Sequence, residues 1–306
     1  MWAMTSYYNP MRYKRRLTNY KTFHELLRIP LVTVELSFDG GFELADRDAD
    51  VLIQLSGGAI LWQKERLLNL AIKSVPPTVD NIAWIDCDVM FERSDWVDEA
   101  ENQLRSSNIV QLFSDQVDLG QEHHKTSFSC HDISPSGRGV ISLNAQNRFR
   151  QSDVAPTSAQ NRRSFAWGLA WAARRKILED HGLYDAMIAG GGARALVSAI
   201  YAEFETVIEA AQFNAAQREH YLEWAHPYHR AVGERVGHVS GRLYHLWHGD
   251  IKNRNYAGRH RGLLDSNFDP YADIAIGANG AWQWARSKPE LQEFLTNHFI
   301  NRAEDG

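Results

Sequence analysis

Four apolar runs fall within the first hundred residues: Trp2 to Tyr8, Pro30 to Phe38, Ala49 to Leu55 and Ile82 to Phe91. Between them lie stretches whose apolar residues recur at helical spacing. This alternation predicts an α/β chain with a mainly parallel sheet and helices on both faces, because parallel neighbours need a crossover and the crossover helix covers the sheet. The first run stops at Asn9-Pro10, and the helix after it carries Leu17, Tyr20, Phe23 and Leu27 on one face. Arg12, Lys14, Arg15 and Arg16 crowd its first turn. Positive charge there opposes the helix dipole, so either an anion lies nearby or the cations form a solvated face. The third run passes through Ser56-Gly57-Gly58 into a helix from Ile60 to Val75, stopped by Pro76-Pro77. Ligands of such sheets bind beyond the carboxyl ends of the strands.

The chain from Ser114 to Arg163 is polar and aperiodic, and reads as long loops with short strands. Order returns from Ser164 to Asp185, a strand feeding a helix. Next come three glycines, Gly190 to Gly192, and a helix from Ala193 to Phe204. A further helix spans Ala215 to Arg235, the last strand runs from His238 to Gly249, and a short helix lies near Pro289 to Phe299. With 306 residues the chain fits one large domain or two smaller ones. The expected division is a main domain over 1–262 and an extension over 263–306 packed on it. A net charge of -5 rules out a whole-protein field that attracts nucleic acid or anionic membrane. Cys87 and Cys130 are too few for a disulfide framework or a cysteine zinc site. No run approaches the ~20 apolar residues of a membrane span, so a soluble, cytoplasmic protein is expected.

Within the fourth run, the apolar strand Ile82 to Ile85 terminates in Asp86-Cys87-Asp88. Side chains two apart on a strand point the same way, so both carboxylates are expected on one face at the mouth of the sheet, where a hard divalent cation accepts carboxylate and phosphate oxygen. Turn or capping aspartates are the plainer alternative. His245 and His248 end the last strand; three apart, they are expected to face opposite ways, so that at most one joins the carboxylates as a metal ligand. Lys64 and Arg66 open one helix, and Lys252, Arg254, Arg259 and Arg261 follow the last strand, as phosphate binding would require. Tyr8, Trp62, Trp167, Trp171 and Trp247 are core residues by default, though rings in these places can stack on a base or a sugar face.

In order, TSYYNP, VELS, LWQKERLLN, AWIDCDVMF, FAWGLAWAARRKIL, GLYDAMIAGGG and YHLWHGDIKNRNY resemble a nucleotide-sugar-dependent glycosyltransferase of the GT-A fold. More narrowly, the chain is similar to a poorly characterised group of bacterial and phage glycosyltransferase-like proteins, from about Thr5 to about Tyr256. The resemblance implies a long polar insertion on the acceptor side and places Thr5, Tyr8 and Glu35 along the base and ribose. It puts Lys64 by the nucleotide or its pyrophosphate, Asp86 on ribose or metal, and Asp88 with His245 or His248 on Mn2+ or Mg2+. It also implies that Lys252 reaches the pyrophosphate and that Phe165 to Trp171, including Trp167, Gly168 and Trp171, walls the sugar and acceptor. Gly190, Gly191 and Gly192 would let the backbone approach the donor sugar.

An acid follows the glycines in this group, and here Ala193 stands in its place. The resemblance accounts for Ala193 as a replaced aspartate, as a natural residue with the base supplied by Asp185, His123 or His124, or as the mark of a binder without turnover. It implies metal-dependent transfer from a UDP- or GDP-sugar to a hydroxyl on a glycan or small molecule, with a nucleic acid base as the less favoured acceptor. A phosphatase with an aspartyl nucleophile and a nucleotidyltransferase share parts of the pattern; Val89, Met90 and Phe91 after the second acid argue against the first.

Overall fold

The structure is a computed structural model and describes residues 1–122, 134–146, 165–233, 235–256 and 258–306. The chain opens with β1 (Trp2–Tyr8), α1 (Lys14–Leu27), β2 (Leu31–Ser37), β3 (Val51–Ser56), α2 (Lys64–Ile72) and β4 (Asn81–Ile85). There follow β5 (Val89–Phe91), α3 (Trp96–Gln103), β6 (Ile109–Gln111), β7 (Asp115–Asp118), β8 (Gly137–Gly139) and α4 (Val140–Ala145). After β9 (Phe165–Ala166) and β10 (Ala170–Arg174) come α5 (Arg175–His181), α6 (Gly192–Ile200), α7 (Phe204–Ala210) and α8 (Ala215–Val232). The last part holds β11 (Val236–His238), β12 (Arg242–His245), α9 (Arg261–Asp265), α10 (Pro270–Asp273), β13 (Ile274–Ile276), β14 (Trp282–Trp284) and α11 (Pro289–Asn301).

Among the described residues, seven strands form the central sheet in the order β11-β6-β10-β4-β1-β2-β3, and of these β10 alone runs antiparallel to its neighbours. This is the mainly parallel α/β architecture expected from the strand–helix alternation. Alternate residues of each strand serve opposite cores, as the two-residue period of a strand requires. Met4, Tyr8, Ile82 and Trp84 join Leu67, Leu68, Leu196 and Tyr221 on one face. Ala3, Tyr7, Ala83 and Ile85 join Tyr20, Phe23, Trp96 and Leu104 on the other. A second sheet, β5-β12-β7-β8-β9, lies beside the first, and β13 and β14 form a separate hairpin.

The structure corrects two of the expected strands. The fourth run does not continue from Ile82 to Phe91: β4 ends at Ile85 and β5, from Val89, belongs to the second sheet. Asp86 to Asp88 is the bend between sheets. The last run divides in the same way, β11 joining the central sheet and β12 the second. Apolar residues stand on both sides of each change, so hydrophobicity does not reveal where the chain changes sheets. The tail also holds more than one short helix. Gln63, in the turn before α2, bonds the backbone of Trp282, whose indole donates to the Asp185 carbonyl at 2.9 Å. Of the polar stretch from Ser114 to Arg163, the described part supplies β7, β8 and α4, and His123 and His124 lie outside the described residues.

Candidate functional site

Asp88 leads directly into β5, which pairs antiparallel with β12 so that Val89 faces His245, and the Leu246 amide donates to the Asp88 carbonyl at 2.8 Å. This pairing sets His245 beside Asp88. Because β12 ends at His245, His248 is not bound by strand alternation and turns back toward the same point. Its Nε2 lies 3.3 Å from Asp88 Oδ2 and 3.1 Å from His245 Nε2, while His245 Nε2 lies 3.8 Å from Asp88 Oδ1. The expectation that the histidines face opposite ways is therefore corrected. One ligand atom from each of Asp88, His245 and His248 lies within 4.8 Å of the others.

The surroundings suit a cation. Asp88 Oδ1 is buried and has no hydrogen-bond partner among the described residues, a costly state unless something positive meets it. Each histidine has a carboxylate at its Nδ1, Asp118 at 2.9 Å for His245 and Glu304 at 3.5 Å for His248. Carboxylates so placed orient imidazoles for ligation through Nε2. Burial, reinforced by the positive charge of Arg254, pushes the His248 pKa down to about 3 and keeps the ring neutral, the form in which it binds metals. Asp86 lies outside this group: past the end of β4 its carboxylate forms an ion pair with Lys64 at the start of α2. The two aspartates still feel each other: burial first, and the charge of Asp88 after it, raise the Asp86 pKa against the opposing pull of Lys64.

Lys64 and Asp86 line a cleft with Glu65, Trp84, Gly168, Trp171, Gly192 and Ala193. Its volume of about 20 Å³ admits roughly one water, which needs ~10–15 Å³ on this measure. Gly190 and Gly191 have φ of 82° and 112°, the left-handed region open to glycine. Side chains of this chain crowd the run: a Cβ on Gly190 would lie 3.1 Å from Arg259, and one on Gly192 would lie 2.3 Å from Glu65 Oε1. Gly168 abuts Ala193, where a Cβ would meet the alanine methyl at 3.2 Å. Trp167 lies under Arg194, its ring 5.3 Å from the guanidinium, and its carbonyl accepts from the Trp171 indole at 3.0 Å. Asp185 bonds both Arg66 and Asn69 at 3.1 Å.

Sequence reasoning passed over Glu65, whose side chain reaches this cleft. Burial raises its pKa to about 7 although Lys64 is adjacent. The signal was present in the K-E-R triplet, but an acid in the first turn of a helix reads as a partner of the dipole.

A second cavity, of about 240 Å³, opens beyond the ends of β1 and β2 and is lined by Asn9, Arg12, Glu35, Ser37, Asp39 and Glu43 among others. Glu35 bonds the Glu43 amide at 2.6 Å and the Gln54 amide nitrogen at 2.9 Å. Thr5 is fully buried and donates to the Ile85 carbonyl. Tyr8 is buried edge-on against Trp62 and Phe299. Lys252 is exposed and paired with Asp250 at 3.1 Å. Arg254 is buried, and its Nε has no partner among the described residues. Arg259 stacks on Tyr256 at 5.0 Å and has no ion pair among the described residues; burial pushes its pKa down to about 10.

No protein-family model matches the chain, and neither does any curated protein sequence. Among solved structures it is similar to residues 1–349 of TarS from S. aureus, at 11% identity and TM-score 0.37, over 99% of this chain and 71% of that one. A putative nucleotide-diphospho-sugar transferase from Desulfovibrio desulfuricans matches at 10% identity and TM-score 0.35, over 87% and 93% of the two chains. A 4-diphosphocytidyl-2C-methyl-D-erythritol synthase from Anaerococcus prevotii matches at 12% and 0.35, over 78% and 87%. At these scores the likeness carries no functional argument of its own. Among the described residues, no helix is long and apolar enough to cross a membrane.

Proposed function

We propose that the chain binds a nucleoside diphosphate sugar, of the UDP or GDP class, and transfers the sugar to an acceptor hydroxyl on a glycan or small molecule. The observation that carries the reading is the convergence of Asp88, His245 and His248, with the unpartnered Asp88 Oδ1 at its centre. Two imidazoles and one carboxylate favour Mn2+ over Mg2+, which prefers an all-oxygen shell. A cation held there supplies Lewis-acid neutralisation of the charge that grows on the leaving diphosphate.

The chain's own groups do the rest. The cavity at the ends of β1 and β2 is large enough for a nucleoside, with Glu35 and Asn9 facing it. Arg254 and Lys64 offer positive charge to the diphosphate, pre-placed where charge develops. Glu65, against Gly192 and lining the same cleft as Ala193, takes the proton that an aspartate at 193 would have taken. As the acceptor O–H bond breaks toward Glu65, the acceptor oxygen bonds the sugar's anomeric carbon, and the bond from that carbon to the diphosphate oxygen breaks. A base with a pKa close to the working pH suits this task. The cleft at Glu65 has room for a hydroxyl or a water, so the sugar ring lies above it.

Thermal unfolding with a panel of UDP- and GDP-sugars tests the reading. With Mn2+ present, at least one donor at a hundredfold over its Kd is expected to stabilise the protein by about 2.7 kcal/mol, and EDTA removes the effect. No stabilisation by any donor in Mn2+ would overturn it. Ala193 alone favours a second reading, a sugar-nucleotide binder without turnover; donor hydrolysis by the protein as it stands excludes that one.

A further inference from the structure

The last residues of the chain reach back to His248. Glu304 is 1% exposed and is held by two bonds to Arg16, at 2.9 and 2.8 Å, and by one from Arg302 at 2.6 Å. Its Oε1 lies 3.5 Å from His248 Nδ1, and Arg302 lies 3.4 Å from the same nitrogen. An acceptor and a donor thus face one ring atom.

The hydrogen positions follow from the partners. His245 Nδ1 is 2.9 Å from the Asp118 carboxylate; with one ring hydrogen, placed there, His245 Nε2 offers a lone pair. His248 Nε2 lies 3.1 Å from that lone pair and so carries the hydrogen between them. His248 Nδ1 is then an acceptor, and Arg302 donates to it. To ligate a cation through Nε2, His248 must instead carry its hydrogen on Nδ1, where Glu304 is the acceptor.

We infer that Glu304 is a positioning residue for the metal centre, accepting the His248 Nδ1 hydrogen when Nε2 binds a cation, while Arg302 serves the opposite tautomer. This rests on the proposed cation site and adds to it the C-terminal segment, which the motifs from Thr5 to Tyr256 do not include.

Mn2+ titration of the full chain, with the 14N modulation of the Mn2+ spin signal counting bound imidazoles, provides the test. The unaltered protein is expected to bind one Mn2+ through two imidazoles. Glu304→Ala should weaken binding ~10–100-fold and leave one imidazole bound. Glu304→Gln, whose amide oxygen still accepts, should keep both imidazoles and most of the affinity. Asp305→Ala, which loosens the same tail without touching His248, should leave binding unchanged. Two imidazoles and full affinity in Glu304→Ala would overturn the inference while leaving the cation site standing; no Mn2+ binding by the unaltered protein would overturn both. If Glu304→Ala fails to fold, 15N spectra of the histidines in the unaltered protein decide. With Zn2+ added, the His248 hydrogen should move to Nδ1, and a hydrogen that stays on Nε2 refutes the role.

Discussion

At Glu65 a carboxylate is buried against the α carbon of Gly192, and burial raises its pKa to about 7, with Lys64 only partly opposing the shift. The usual value of 4.5 applies to the unfolded chain, so between pH 4.5 and about 7 the folded protein holds the proton more tightly. The stability that the protonated form contributes is fully present below pH 4.5 and is lost as pH rises through about 7. Glu65→Gln removes this dependence. Its stability should match the unaltered protein near pH 4.5 and exceed it above pH 7 by a few kcal/mol, roughly 3 from the size of the shift. Urea unfolding at pH 5 and pH 8 checks this, and a gap that does not widen with pH contradicts it. The same variant should lose most of its transfer activity. Glu65 lies in the first turn of α2, but whether an acid there faces solvent or the cleft depends on how the helix is rotated onto the sheet, which spacing alone does not set.

At the scale of elements, the basic first turn of α1 shows what could be read and what could not. The sequence called for an anion there or a solvated face, and the structure supplies the anions from the far end of the chain. Asp305 accepts from the Lys14 and Arg15 amides at 3.1 and 2.7 Å, and Glu304 pairs with Arg16. No local pattern links positions some 290 residues apart. Removing the carboxylate in Asp305→Ala should cost about 1 kcal/mol, the typical worth of a cap at a helix N-terminus, measured as a shift in urea midpoint at constant slope. The turn before α6 should be less forgiving. Gly191→Ala forces φ of 112° on an alanine and sets its Cβ 2.9 Å from Met187; a loss of roughly 1–3 kcal/mol is expected. Periodicity sufficed for the strands of the parallel half because each is a separate apolar run. It failed at Asp86 to Asp88 and at Val239 to Gly241, where a run that looks continuous changes sheets.

Across the whole molecule, the candidate centre lies where the two sheets meet. Asp88 comes from the bend that leaves the central sheet, His245 from the end of β12, His248 from the turn beyond it, and Glu304 from the C-terminal tail. The strand changes that the sequence concealed are the same ones that bring these residues together, which is why the ligand types were legible and their arrangement was not. A site assembled from such distant parts of the chain is absent from the unfolded state, so metal binding should stabilise the whole fold. Mn2+ should raise the midpoint of thermal unfolding with the logarithm of its concentration above its Kd, and the rise should vanish in His248→Ala. The most direct check on the central claim is calorimetric titration of Mn2+ into the unaltered protein and into Asp88→Ala. One saturable site in the former and its loss in the latter, together with the loss of donor-induced stabilisation, is the predicted result; equal Mn2+ affinity in the two proteins would contradict the account.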